Sequence, residues 1–140
     1  MKQFIVLLAV LPISLVFLAQ FTLDLKVNAK IDSVNNIVYT AKEEAKQLGG
    51  FSDEKLSDIK TRIASVCNVP ESSVVVEGSP KGSKKRMIGL SSAEEMNKDK
   101  LIRYYIKVPV EEISILGKLI KGAGKQYYYV IDSYTASELL

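Results

Sequence analysis

The feature that most limits what this chain can fold into is its start: residues 4–23 carry no charge, reading Phe-Ile-Val-Leu-Leu-Ala-Val-Leu-Pro-Ile-Ser-Leu-Val-Phe-Leu-Ala-Gln-Phe-Thr-Leu. As a helix the run would be about 30 Å long, the thickness of a bilayer's hydrocarbon core. It is longer than the apolar core of an ordinary signal peptide, so it is read as a retained anchor over residues 1–23. The competing reading is a secreted binding module released by a cut after Ala29, where Val27-Asn28-Ala29 supplies small residues but Asp24 and Lys26 intervene. Pro12 interrupts the run and removes one backbone hydrogen bond, which membrane helices tolerate when they pack among others. Basic residues flank both ends of the run, so charge alone does not orient it.

Residues 24–140 are one domain's worth of chain. From Val27 onward the apolar residues fall at Val27, Ile31, Val34, Val38, Ala41, Ala45 and Leu48, alternating steps of four and three. That spacing predicts an amphipathic helix over 24–48, continuous with the anchor and stopped at Gly49-Gly50. Its seam suits packing onto the chain's own domain, with a coiled coil between copies as the alternative. A second helix is expected from a Ser52 cap to about Cys67, with Leu56, Ile59, Ile63 and Val66 on its buried face and Pro70 just beyond its end.

The β-branched run Val74-Val75-Val76 predicts a strand over 73–77. Residues 78–100 read as a long polar surface loop, with a short helical turn near Ser92 and the basic residues Lys81, Lys84, Lys85 and Arg86 as candidate contacts for lipid headgroups or an acidic partner. Residues 101–108 alternate as a half-exposed strand that Pro109 should end. A short helix over 110–121, a Gly122-Ala123-Gly124 turn and a strand over 126–134 complete the chain. Tyr127, Tyr128 and Tyr129 on that strand are a candidate recognition surface. The fold class expected is therefore α+β, with about three antiparallel strands.

The absence of histidine removes the commonest general base and metal ligand, and the lone Cys67 rules out an intrachain disulfide or a cysteine zinc cluster. No phosphate loop or nucleophile elbow occurs, and the neighbouring carboxylates Glu43-Glu44, Glu94-Glu95 and Glu111-Glu112 diverge on a helix. No catalytic residue, metal, cofactor or small-molecule substrate is expected. A net charge of +3 without a basic face gives no reason to expect nucleic acid.

The order of elements resembles that of the TadE-like minor pilins, pseudopilin components of tight-adherence (Flp) type IV pilus machines. The likeness runs through Leu11-Pro12 in the apolar run, Ala41-Lys42-Glu43-Glu44-Ala45 in the amphipathic helix, Val69-Pro70-Glu71-Ser72-Ser73 before a strand, and Tyr104-Tyr105-Ile106-Lys107-Val108-Pro109-Val110. It implies a single-pass membrane subunit of the bacterial cell envelope with an extracytoplasmic head. Its partners would be other pilin-like or assembly-machine proteins, copies of itself included. Packing would then run along Val6, Pro12, Phe17, Val27, Ile31, Val34, Val38 and Leu48. Relatives usually carry a glutamate ahead of the anchor's proline, where Val6 stands here, and a leader ending in glycine is not seen before the run.

Overall fold

The computed structural model describes residues 1–86, 100–110 and 127–140. Helix α1 (Lys2–Leu48) is a single 47-residue element, about 70 Å long, and it passes through both Pro12 and the boundary at residues 23–24 without a break. It ends where the sequence demands: Gly49 takes the left-handed conformation at φ 68°, and the N–H groups of Gly49 and Gly50 both reach the Ala45 carbonyl.

Helix α2 (Asp53–Cys67) starts on the Ser52 hydroxyl, which accepts from the Lys55 N–H at 3.3 Å, and carries Asp53 and Glu54 in its first turn. Asn68 closes it in the left-handed region at φ 54°. Its buried face is Ile59, Ile63, Ala64 and Cys67, with Leu56 half-buried against it. Val66, expected on that face, is 39% exposed. At 100° per residue Val66 lies about 60° to one side of Ile63, while Ala64 and Cys67 lie to the other, the flank that is buried in the core.

Three strands, β1 (Val75–Gly78), β2 (Ile102–Val110) and β3 (Tyr127–Thr135), form an antiparallel sheet in the order β1-β2-β3. The register sets Glu77 opposite Tyr105 and Tyr105 opposite Asp132. The β1 strand begins later than the expected 73–77 because Glu71–Ser73 forms a tight 3₁₀ turn, in which the Ser73 hydroxyl donates to the Pro70 carbonyl at 2.6 Å.

Pro109 does not end β2 as expected; it lies within the strand, opposite Tyr128. The β1 strand stops opposite Lys107, so this stretch of β2 has no β1 neighbour to miss a proline's absent N–H. Val110, expected to open a helix, is the last residue of β2, and the rest of that expected helix, the glycine turn and the turn near Ser92 lie outside the described residues.

The core forms where the inner face of the sheet (Ile102, Ile106, Val108) meets α1 (Val34, Val38, Ala41, Ala45) and α2, with Phe51 and Val74 closing its ends. The amphipathic seam is therefore used within the chain. Ile31 and Leu48 are half-buried, and Val27 is buried apart from the main cluster. The result is the α+β, pilin-like layout expected of the sequence: a long N-terminal helix, a shorter second helix and a small antiparallel sheet.

Candidate functional site

Among the described residues, nothing covers the large side chains in the apolar half of α1. Across residues 4–18 the large side chains Phe4, Ile5, Leu8, Leu11, Ile13, Leu15 and Phe17 are all exposed, Phe17 at 71%. None of the most apolar window of this helix is buried in the protein, so it is not a core helix. It is long and apolar enough to cross a membrane. Val6, Pro12 and Phe17 all lie on this bare half, while Ile31, Val34, Val38 and Leu48 lie on the half packed into the head.

Polar groups in the bare half satisfy themselves along the helix. The Thr22 hydroxyl donates to the Leu18 carbonyl at 2.9 Å, and the Gln20 amide donates to the Asp24 carboxylate at 3.0 Å. Such internal bonds lower the cost of placing these residues near a membrane boundary.

The basic residues Lys81, Lys84, Lys85 and Arg86, expected on a long polar surface loop, stand on surface backbone that is tied down. Gly82 N–H donates to the Leu48 carbonyl at 3.0 Å, Lys84 N–H to that of Gly49 at 3.1 Å, and Arg86 N–H to that of Leu139 at 2.6 Å. The tail joins the same knot: Glu138 N–H donates to the Lys46 carbonyl at 2.7 Å, and the buried Ser137 hydroxyl donates to the Lys84 carbonyl at 2.8 Å. Carbonyls orphaned at the end of α1 are thereby satisfied by two distant segments. A side chain at Gly49 would run into the Lys84 carbonyl and Leu139, so this junction requires glycine for space as well as for φ. Lys81, Lys85 and Arg86 are exposed around the knot, and Lys84 is half-buried.

The three tyrosines do not share one face. Alternation along β3 places Tyr129 inward, half-buried against the core, where its hydroxyl donates to the Asn35 side chain on α1 at 2.9 Å. Tyr128 faces outward, with the Lys107 ammonium 4.2 Å from its ring centroid. Tyr127 is exposed and shares the inward parity of Tyr129. A recognition surface here would consist of Tyr128 and its outward neighbours Val130 and Tyr134.

That outer face holds a charged row that the sequence patterns do not single out: Glu77 on β1, Arg103 on β2 and Asp132 on β3. The Arg103 guanidinium grips Asp132 with two bonds of 3.2 Å, and the adjacent carboxylate raises the arginine further above its already high ordinary value. Beside this fork, Glu77, Gly78, Ser79, Arg103 and Tyr105 line an open groove of about 210 Å³. The Ser79 hydroxyl accepts from the Arg103 backbone N–H at 3.0 Å, which fixes one wall. The alternation in 101–108 contained the signal for Arg103, whereas the register that brings Glu77 and Asp132 to its flanks is long-range.

Two further titratable features lie away from the groove. Lys46 donates to Glu43 at 2.8 Å, which holds that carboxyl below its ordinary value and lifts the lysine above its own. Burial pushes the Cys67 thiol up, so it is a packed apolar group rather than a ready nucleophile. Among the described residues, no three of Cys, Asp and Glu converge on a point where a metal could sit.

Comparison of the chain with protein-family models, with curated proteins and with solved structures gave no match.

Proposed function

We propose that this chain is a membrane-anchored, pilin-like structural subunit of the pseudopilin kind, working by helix packing and head contacts in a pilus or secretion-type assembly of the bacterial envelope. The observation that carries the reading is the change of character along one unbroken helix. Residues 4–19 of α1 are uncharged, apolar on all sides and bare, while residues 27–48 are buried on a single stripe inside an α+β head. A helix bare on every side in water is costly, at about 25 cal/mol per Å² of apolar surface, and a bilayer removes that cost.

The sequence resemblance supplies the assembly context, and the head's place on the extracytoplasmic side comes from it. Partners on this reading are the membrane, other pilin-like subunits and further copies of the chain. No step of chemistry is assigned to it. The alternative, a module released after Ala29, would cut α1 in mid-helix beside the buried Val27.

Membrane fractionation combined with intact mass tests the choice. The anchored subunit stays with the membrane through carbonate washing and keeps residues 4–23. A soluble protein beginning at Lys30 would sink it.

A further inference from the structure

The groove beside Glu77 and the basic run on the knot lie close together in the chain, yet they do not pair with each other. Among the described residues, Glu77, Lys81, Lys85 and Arg86 form no ion pair. Arg103 also lines the groove and its charge reaches Glu77, but its guanidinium is bonded to Asp132, so Glu77 has no direct ion pair and the row of Glu77, Arg103 and Asp132 keeps one net negative charge. Around Glu77 stand the Tyr105 ring and the Ser79 hydroxyl. A carboxylate, an aromatic side and a hydroxyl acceptor make a setting for an ammonium or guanidinium group.

Geometry removes the bilayer as the partner of the basic run. The knot is fixed to Leu48 and Gly49, at the far end of α1 from the apolar half. From residue 23 to residue 48 the helix rises about 38 Å, and even at a 40° tilt the height is about 29 Å. Screening in physiological salt reaches only about 8 Å, so headgroups around this chain's own anchor do not feel the run.

A second copy anchored beside the first has the same orientation, and therefore holds its basic run and its groove at the same height as the first. Only Pro80 and a short turn separate groove from run in the chain, so the level match is built in. We propose that the Glu77 groove of one copy receives a cationic side chain from the Lys81–Arg86 run of a neighbouring copy. The inference rests on the assembly reading above and names its head contact. The two surfaces differ, so the contact is heterologous and propagates from copy to copy instead of closing on itself.

The test measures self-association of the full chain by sedimentation in zwitterionic detergent micelles. Glu77→Lys sets like charge against the basic run, and the double change Lys85→Glu with Arg86→Glu sets like charge against the groove. Each variant alone is expected to associate about five- to tenfold more weakly than the original chain, a loss that 1 M salt imposes on the original too. Mixed in equal amounts, the two variants set the introduced lysine of one against the acidic run of the other, and the retained Glu77 against the retained basic run, so association returns to within about twofold. Recovery on mixing also proves that both variants are folded. A mixture no better than its components, association indifferent to both variants and salt, or an original chain that stays monomeric would each overturn the proposal. Loss of membrane retention would instead overturn the anchor while leaving the micelle measurement able to judge the groove.

Discussion

The two halves of α1 have the same backbone and nearly opposite surroundings. From Lys2 to the low twenties every large side chain is bare, whereas from Val27 onward one stripe is buried and the rest of the surface is polar. Helical hydrogen bonding is common to both, so it cannot be what places them. The side-chain pattern makes the first half compatible with a medium that is apolar on all sides, and packs the second into a core that is apolar on one.

Charge inserted into each half should break a different property, and this is the largest effect expected. Val34→Asp puts a carboxylate among apolar neighbours at a 1% exposed position, at a cost of about 3–5 kcal/mol, which should unfold the head as read by loss of near-ultraviolet dichroism and of proteolytic resistance. Membrane retention should survive that change. Ile13→Asp makes the opposite cut: it costs about 3 kcal/mol of insertion free energy at the middle of the span and should move protein into the soluble fraction with the head intact. Equal sensitivity of both properties to both variants would erase the distinction between the halves.

A smaller effect sharpens the comparison within the head. Removing the Ser52 cap by Ser52→Ala should lower stability by about 1 kcal/mol in urea unfolding, since the Lys55 N–H loses its partner. The smallest concerns the half-buried Glu43–Lys46 pair. Glu43 titrates below its ordinary value of 4.5, so its stabilising contribution is present above that value and fades as pH falls through the lowered one. The thermal midpoint should decline slightly more steeply below pH 4.5 in the original chain than in Glu43→Gln.

Much of this was legible in the residues because it is local. The three-and-four spacing from Val27 gives the seam, Ser52 gives a helix start, and alternation gives the inward faces of β2 and β3. Pro109 misled because its effect depends on whether a neighbouring strand needs its N–H, and β1 is too short to do so. Val66 misled because spacing predicts a stripe but not which flank of the stripe the core covers. The ties that hold the basic run are not legible because the groups that make them, the end of α1 and the tail at Ser137 and Glu138, are distant in sequence and bind mostly through backbone atoms that carry no residue signature. The row of Glu77, Arg103 and Asp132 was illegible for the same reason: three strands had to be placed in register first.

The unbroken course of α1 gives the molecule a mechanical property. About 55 Å of helix separates Pro12 from Gly49, with no second proline between them. A 10° bend introduced at Pro12 would therefore carry the knot and its cations sideways by about 10 Å, roughly twice the spacing of adjacent strands. On the anchored-assembly reading proposed above, a small flexure at Pro12 would decide, at the tip of this lever, whether neighbouring heads touch.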